Sequence, residues 1–330
     1  MGALPQERRT GWLTLDIVIP MYNEAKVLPV LLDVLATTFS AAVCEQHRIS
    51  KVTCLFVDDG SSDESVQIVQ ATRVAALHTG IIRLSRNFGH QAAVTAGIAT
   101  ASGDLVAVMD ADLQDPPGCI LEMIEKWRQG FEVVFAVRRN RKEGPVKVAL
   151  YWTFYRVYRL LTPIPVPTDS GDFCLMSRRV VDELNRLPEK VRFARGLRSW
   201  IGFRQTAVAY DRPARAAGES RYGMAALYQL ATEGIASLSL RPLQLAQLLS
   251  ILYLSLTVGA VPAMMLGLFD SADLNTRLSI VLVLMLLSNS IILFCLYIIG
   301  AYLGRAYLEV KGRPSYVVAD VLWSDTPGHS

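Results

Sequence analysis

The stretch Val108–Pro117, VMDADLQDPP, decides the fold. The apolar run Leu105–Met109 predicts a short buried strand, and Pro116–Pro117 ends any strand. Asp110 and Asp112 follow that run, and because side chains alternate along an extended chain, both point the same way. Like charges placed side by side repel unless a cation lies between them. The stretch therefore predicts a buried strand that delivers an acidic loop to one edge of a sheet.

The acidic loop offers only oxygen ligands to a metal. Gln114 and Asp115 extend the candidate set beyond Asp110 and Asp112. Oxygen ligands favour Mg²⁺ or Mn²⁺, and Mg²⁺ typically keeps waters and shares substrate phosphates. A divalent metal that holds a diphosphate is the functional interpretation, and an ordinary acidic turn after a strand is the alternative.

Predicted strands and helices alternate along the first 137 residues. The predicted strands are Leu15–Ile19, Lys51–Val57, Ile81–Leu84, Leu105–Met109 and Glu132–Val137. The predicted helices are Ala25–Phe39, Ser62–Arg73, Gln91–Ala101 and Pro117–Gln129. Ser61 and Glu64 have the spacing of a capping box for the second of these helices. The alternation predicts an α/β fold with a doubly wound, mostly parallel sheet.

Four polar clusters follow the predicted strands: Asn23-Glu24, Asp58-Asp59, Asn87 and Asp110–Gln114. In a doubly wound sheet, ligands bind beyond the carboxyl ends of the strands, so these clusters are expected to converge. The turn Pro20–Glu24 has no glycine, which argues against a dinucleotide-binding fingerprint, and the P-loop signature is also absent from the sequence. Acidic turns suggest recognition of base and ribose by carboxylates instead.

The composition points to a membrane protein. The 330 residues are 52% hydrophobic and 19% charged, with a mean hydropathy of +0.30. Leu243–Phe269 and Leu278–Gly304 contain no charged residue, and each exceeds the roughly 20 residues that cross a bilayer as a helix. Buried core helices are the alternative. Lys and Arg are plentiful before Leu243 and after Gly304, whereas the loop between the two stretches has only Arg277, so a hairpin would keep both ends in the cytoplasm.

Other sequence features exclude several classes. The N-terminus has no apolar segment of the kind found in signal peptides. The five cysteines are scattered without a Cys-x-x-Cys pair, which fits a reducing compartment and no zinc site. A net charge of +3 is too small to indicate a nucleic-acid partner.

Several segments spread over nearly the whole chain carry a family resemblance. They are IPMYNE (19–24), VDDGSSD (57–63), RNFGH (86–90), DADLQDPP (110–117), DSGDFCLM (169–176), RFARGLRSWIGF (192–203), AGESRY (217–222) and YLGR (302–305). With them the sequence resembles the family 2 glycosyltransferases of GT-A fold. Within that family it is most similar to the membrane-anchored polyprenyl-phosphate sugar transferases, such as the bactoprenol glucosyltransferases of O-antigen glucosylation and the dolichyl-phosphate mannose synthases.

The resemblance implies a role for each matching position. The nucleotide would be held by Pro20, Tyr22, Glu24, Asp58, Asp59 and Asp110. The metal, Mg²⁺ or Mn²⁺, would be held by Asp110, Asp112 and Gln114. The phosphates and the acceptor would be held by Arg138, Arg215, Ser220 and Arg221. Asp112 and Asp172 would serve catalysis, with Asp172 either a general base or a group that positions a sugar hydroxyl. Cys174 and Arg221 depart from the family pattern, which commonly has arginine and lysine there, and Cys174 is given no role.

The implied reaction transfers a sugar from a UDP-sugar to a polyprenyl phosphate with inversion. Arg192–Gln205 most resembles the glucosyltransferases, which favours glucose as the sugar, with mannose or aminoarabinose donors as alternatives. Undecaprenyl phosphate is the expected lipid. A processive polysaccharide synthase is a rival, although Arg198-Ser199-Trp200 only partly echoes its Gln-x-x-Arg-Trp motif. A non-catalytic membrane scaffold is a second rival, and the acidic motifs argue against it.

The resemblance also implies an architecture at the bacterial inner membrane. A cytoplasmic GT-A domain would span residues 1–223, a juxtamembrane helix 224–241, two transmembrane helices 242–304, and a cytoplasmic tail 305–330. Val146–Leu161, rich in aromatic and basic residues, would be an interfacial helix or an ordinary core helix. Family members suggest a homo-oligomer, with a tetramer possible, and the tail Ala306–Trp323 is a candidate contact in it.

Overall fold

The computed structural model describes residues 7–72, 77–138, 170–190, 192, 194–211, 241–265 and 274–323. The strands are β1 (Leu13–Met21), β2 (Ile49–Asp58), β3 (Leu77–Leu84), β4 (Leu105–Val108), β5 (Val133–Arg138), β6 (Ser170–Ser177), β7 (Gln205–Tyr210) and β8 (Val318–Trp323). The shorter helices are α1 (Glu7–Thr10), α2 (Leu28–Thr38), α3 (Ala41–Gln46), α4 (Ser65–Ala71), α5 (His90–Thr100), α6 (Gly118–Arg128), α7 (Arg178–Arg186) and α8 (Ala194–Trp200). Two long apolar helices follow, α9 (Arg241–Met265) and α10 (Leu274–Val310).

All eight strands belong to one sheet with the order β7-β5-β6-β4-β1-β2-β3-β8. The pairs β1–β2, β1–β4, β2–β3 and β5–β7 are parallel. The pairs β4–β6, β5–β6 and β3–β8 are antiparallel. The strand order reverses at β1, because β2 lies on one side of it and β4 on the other. This reversal creates the crevice in which doubly wound sheets bind ligands.

The sheet is sandwiched between two hydrophobic layers. Side chains alternate along each strand, so β1 gives Ile17 and Ile19 to one face and Val18 to the other. The first face packs against α2, which buries Leu28, Leu31, Leu32 and Leu35 at helical spacing, and against α6. The second face packs against α5 and α7. Each fully buried aliphatic side chain contributes about 1.5–3 kcal/mol, so these layers hold the loops at the sheet edge in place.

The predicted fold class is confirmed, and the predicted strands all exist: the first three are longer than predicted, the fourth ends one residue earlier, and the fifth is shifted by one residue. The predicted capping box is wrong. The helix begins at Ser65 with Glu64 at its N-cap and no side-chain cap, because the Ser61 hydroxyl instead accepts a hydrogen bond from the Asn23 backbone N–H at 3.0 Å. The antiparallel strand β6, the parallel strand β7 and the terminal strand β8 were not predicted.

The C-terminal strand closes one edge of the sheet. β8 pairs antiparallel with β3, and Arg83 forms a 2.9 Å ion pair with Asp320. The Trp323 ring lies against Gly80, where an added Cβ would approach it to 2.7 Å. The Ser85 N–H also donates to the carbonyl of Val317 at 2.9 Å. The segment after α10 therefore folds as part of the same sheet that carries the acidic loop.

One helical segment within the described ranges is long and apolar enough to cross a membrane. It is Val281–Val310, and only 6% of its most apolar stretch of 18 residues is buried inside the protein. Length and composition are the basis of this assignment. The predicted interfacial helix Val146–Leu161 and juxtamembrane segment 224–240 lie outside the described residues.

Candidate active site

The crevice at the strand-order reversal lies between the loop after β1 and the loop after β4. Met109 continues from β4 and donates its N–H to the Val18 carbonyl at 3.1 Å, which holds the start of the acidic loop against β1. Asp110 comes next, with 41% of its side chain exposed. The structure thus places the two predicted ligand-binding loops side by side at the carboxyl edge.

A hydrogen-bonded chain anchors the acidic loop from beneath. Asp115 is only 4% exposed and accepts hydrogen bonds from the Asp110 N–H at 3.3 Å and from the Tyr210 hydroxyl at 2.9 Å. Arg138 in turn hydrogen-bonds to Tyr210, which lies beside it on β7. Burial and the neighbouring Asp110 raise the pKa of Asp115 to about 6. Asp115, a candidate ligand from sequence, is therefore a loop anchor, and it connects the predicted phosphate-binding Arg138 to Asp110.

The loop geometry fits a metal ion shared with a substrate. Leu113 has a positive φ of 61°, and the Gln114 N–H donates to the Asp112 carboxylate at 3.1 Å. Within the described ranges, no three His, Cys, Asp or Glu side chains converge as a metal cluster. Mg²⁺ is commonly bound by one or two carboxylates plus substrate phosphates, so Asp110 and Asp112 suffice as protein ligands when a diphosphate is present. Their oxygen donors fit Mg²⁺ or Mn²⁺ equally.

The loop after β1 is tied to the loop after β2. Asn23, with a positive φ of 56°, accepts a hydrogen bond from the Ser62 N–H at 2.8 Å. The Glu24 N–H donates to the Ser65 hydroxyl at 2.9 Å. Pro20 is buried within β1, whereas the Tyr22 side chain is 37% exposed. Tyr22 and Glu24 therefore sit on a braced loop, and their contact with uridine stays a prediction.

Asp58 and Asp59 are buried and organise their surroundings. Asp58 accepts a hydrogen bond from the Ser61 N–H at 2.9 Å. The two oxygens of Asp59 accept from the N–H groups of Phe88 and Gly89 at 2.7 and 2.9 Å. Burial raises the pKa of Asp59, against the lowering effect of those two hydrogen bonds. Asp59 thus fixes the 86–90 loop, and the predicted nucleotide contacts of both aspartates stay predictions.

Gly60 allows the loop after β2 to contact the 86–90 loop. Its φ is +77°, and a Cβ there would lie 2.8 Å from the backbone of Arg86 and Asn87. An L side chain would therefore meet backbone atoms that cannot move aside without shifting the loop.

Substitution of Asp59 with alanine is expected to lower the free energy of unfolding by about 2 kcal/mol, because it leaves the Phe88 and Gly89 N–H groups without their acceptor. Asp59→Asn keeps one acceptor oxygen but turns an NH₂ donor towards the other backbone N–H, so it should recover at most half of that loss. Thermal unfolding in detergent measures the difference. Equal melting temperatures for Asp59→Ala and wild type would refute the anchoring role.

Asp172 is the centre of a second cluster, on β6. Its side chain is 11% exposed and accepts a hydrogen bond from Gln91 at 2.9 Å. Nε2 of His90 lies 3.2 Å from Asp172 and 3.8 Å from Asp110, so His90 bridges the two carboxylates. Nε of Arg195 lies 3.4 Å from the other oxygen of Asp172. The structure therefore brings the predicted Asp172 next to the acidic loop.

The electrostatics of this cluster favour an ionised Asp172 and a protonated His90. Burial alone would raise the pKa of Asp172, but Arg195 and His90 hold it well below its usual range. Burial opposes protonation of His90, yet Asp172 and Asp110 raise its pKa to about 9. A carboxylate with so low a pKa is a weak base, which bears directly on the role of Asp172.

Sequence reasoning gave no role to three residues of these clusters: His90, Arg195 and Tyr210. His90 and Arg195 lie in segments that carried the family resemblance, which was the available signal. Tyr210 is the last residue of β7, a strand that was not predicted, and no sequence pattern indicated a role for it. The predicted acceptor residues Arg215, Ser220 and Arg221 lie outside the described residues.

Comparison with known proteins defines the family. Residues 16–184 match the model "Glycosyl transferase family 2". The chain is 44% identical over 309 residues to the uncharacterized glycosyltransferase YkcC of Bacillus subtilis, covering 92% of each chain. It is 33% identical to the SfII prophage-derived bactoprenol glucosyl transferase of Shigella flexneri, covering 93% of this chain and 97% of that one. Among solved structures, glucosyl-3-phosphoglycerate synthase of Mycobacterium tuberculosis is 17% identical, with a TM-score of 0.45, over 70% of this chain and 80% of that one.

The chain belongs to glycosyl transferase family 2. The expected GT-A-type sheet and the expected class of enzyme, a hexosyltransferase, are thereby confirmed.

Proposed function

We propose that this protein transfers glucose from UDP-glucose to undecaprenyl phosphate and forms a lipid-phosphate-linked sugar with inversion at the anomeric carbon. The relatives named bactoprenol glucosyl transferase, at 31–33% identity over nearly the whole chain, support this choice of sugar and lipid. The observation that carries the proposal is β8, which joins an apolar helix directly to the sheet that bears Asp110 and Asp112.

The donor side of the reaction belongs to the acidic loop. Asp110 and Asp112, with Gln114, would hold Mg²⁺ or Mn²⁺, which when bound acts as a Lewis acid on the departing UDP. Asp115 and Tyr210 keep this loop in position. The uridine would be held by side chains at the ends of β1 and β2: Tyr22, Glu24, Asp58 and Asp59.

The acceptor side requires a site close to the membrane. We place α9 and α10 in the bilayer as a two-helix hairpin, because the tail strand β8 pairs with β3 and so must lie on the same side as the catalytic sheet. A single crossing would put them on opposite sides. α9 contains no charged residue after Arg241, and many of its large apolar side chains are exposed. Both termini then lie in the cytoplasm of a bacterial cell.

Bond changes in the reaction are simple. An oxygen of the lipid phosphate attacks the anomeric carbon in line, the bond from that carbon to the UDP oxygen breaks, and UDP leaves with the electron pair. The nucleophile is already an anion, so no proton has to be removed from it. The protein has to hold two anionic phosphates near each other, and Arg138, at the carboxyl end of β5, would contact one of them.

The test uses the full-length protein in detergent with undecaprenyl phosphate and a panel of labelled sugar nucleotides. We expect metal-dependent transfer of label from UDP-glucose into the organic-extractable fraction, lost with EDTA and restored by Mg²⁺ or Mn²⁺. Transfer from a different donor would reject glucose, and a long water-soluble polymer would indicate a processive synthase. No transfer from any donor by folded protein would favour the scaffold. The homo-oligomer expected from the family stays a prediction.

A further inference from the structure

Two arginines of helix α8 lie near Asp172: Arg195 contacts it, and Arg198 acts on it through its charge. Arg195 reaches it with Nε at 3.4 Å and keeps 25% of its side chain exposed. Arg198, one turn further along α8, is only 3% exposed and lies over the Phe135 ring at 5.7 Å. The helix therefore presents one arginine towards solvent and buries the other behind the same carboxylate.

The buried arginine strengthens the positive character of this region. Nε and Nη2 of Arg198 have no hydrogen-bond partner among the described residues. They lie beside a cavity of about 20 Å³ that Asp172, Cys174 and Arg195 also line, which is room for about one water molecule. Arg195 and Arg198 place two permanently charged guanidinium groups around the single carboxylate of Asp172, so the charge of Asp172 is more than balanced.

The position of the cluster suggests which ligand it serves. Arg195 contacts Asp172, and His90 contacts both Asp172 and Asp110, so two side chains separate Arg195 from the proposed donor site. Gln91 accepts a hydrogen bond from the Ala194 N–H at 3.1 Å and donates to Asp172, which locks α8 against α5 and β6. A rigid, partly exposed guanidinium next to the donor site is suited to an anion, and its planar fork matches a phosphate.

We propose that Arg195 binds the phosphate of the lipid acceptor, and that Asp172 is the positioning residue that orients Arg195. This assignment rests on the proposed function, whose donor and acceptor both carry phosphate. Asp172 then removes no proton. Its ion pair with Arg195 and its hydrogen bond with Gln91 hold the guanidinium where the attacking phosphate oxygen faces the sugar.

The kinetic experiment compares Arg195→Gln, Arg195→Lys and Asp172→Asn with wild type at varied donor and acceptor concentrations. The matched control is Arg186→Gln, an arginine on α7 whose side chain is 72% exposed. We expect Arg195→Gln to raise the acceptor KM by about 10- to 100-fold, because it removes charge-assisted hydrogen bonds, with the donor KM within about 2-fold. Arg195→Lys should be intermediate, since it keeps the charge and loses the fork. Arg186→Gln should change neither KM.

Asp172→Asn separates positioning from base catalysis. We expect it to raise the acceptor KM while kcat at saturating acceptor stays within about 10-fold of wild type and the pH profile of kcat keeps its shape. Loss of kcat by about 10³-fold or more at saturating acceptor, with loss of the acidic limb, would assign Asp172 as a base and overturn the proposal. A raised donor KM with unchanged acceptor KM in Arg195→Gln would assign Arg195 to the donor diphosphate and would also overturn it.

A binding experiment without donor is independent of turnover. Farnesyl phosphate in detergent is titrated into wild type, Arg195→Gln and Arg195→Lys, with inorganic phosphate as the second probe. Weaker binding of farnesyl phosphate to Arg195→Gln than to wild type supports the proposal, and equal binding overturns it. Melting temperatures of the three proteins show whether they are folded. If Arg195→Gln is not folded, the comparison of Arg195→Lys with wild type decides the test. If wild type binds farnesyl phosphate through Arg195 but transfers no sugar, the proposed function fails while the phosphate site stands.

Discussion

Asp110→Asn and Asp112→Asn are each expected to reduce the rate of glycosyl transfer by about 10³-fold, which corresponds to about 4 kcal/mol of transition-state stabilisation. Both side chains lie on the loop at the carboxyl edge of β4, and neither supports the core. The Asp110 side chain is 41% exposed, Asp112 accepts a hydrogen bond from Gln114 within the loop, and Asp115 makes the contact that anchors the loop to β7. The variants should therefore fold normally and lose activity.

The measurement is transfer of labelled glucose to undecaprenyl phosphate over a range of Mg²⁺ and Mn²⁺ concentrations. Asp33→Asn, an exposed aspartate on α2, is the matched control and should retain full activity. Melting temperatures confirm that the inactive proteins are folded. Full activity in both Asp110→Asn and Asp112→Asn would show that the metal assignment is wrong.

Truncation after Val317, which removes β8, is expected to reduce transfer to the lipid acceptor by about 100-fold. The strand pairs with β3 and follows α10, so it fixes the catalytic sheet relative to the apolar helix. Misplacement of reacting groups by about 1 Å can cost about 10²-fold in rate. The loops proposed to bind the nucleotide follow β1, β2 and β4, which β3 separates from β8, so affinity for UDP should stay within about 2-fold.

The matched control for this truncation removes only residues 324–330, which follow the strand, and it should behave as wild type. Trp323→Ala is a milder change that opens the contact with Gly80 and should give an intermediate loss of lipid transfer. UDP binding by calorimetry shows that the nucleotide site is intact in each protein. Unchanged lipid transfer in the protein that lacks β8 would contradict a positioning role for the strand.

Local patterns predicted the central sheet. Apolar runs such as Leu105–Met109 are sufficient to form buried strands, and the acidic loop after that run lies where its spacing indicated. The capping box failed because Ser61 had a competing partner, the Asn23 N–H, 38 residues away in sequence. A capping box depends on residues close in sequence. Here the loop after β1, which is close in space but not in sequence, took the Ser61 hydroxyl as its hydrogen-bond acceptor.

Distant contacts explain what the sequence did not reveal about the site. Asp115 resembles in sequence the neighbouring aspartates that are proposed to bind the metal, and the Tyr210 hydroxyl, 95 residues away, distinguishes it as an anchor. His90 meets Asp172 across 82 residues. Strand β8 was not predicted because five of its six residues are exposed. The strand therefore has no buried face that would produce an alternation of apolar and polar residues.

The edge position of β8 also has a consequence for biosynthesis. Because translation runs from the N-terminus, β3 leaves the ribosome long before β8, which follows α10. In the proposed topology β8 can pair with β3 only after the hairpin has inserted and returned the chain to the cytoplasm. Until then β3 keeps an open edge of the kind that promotes aggregation. In that topology a chain that fails to insert would keep the edge exposed, so completion of the sheet would couple maturation of the enzyme to membrane insertion.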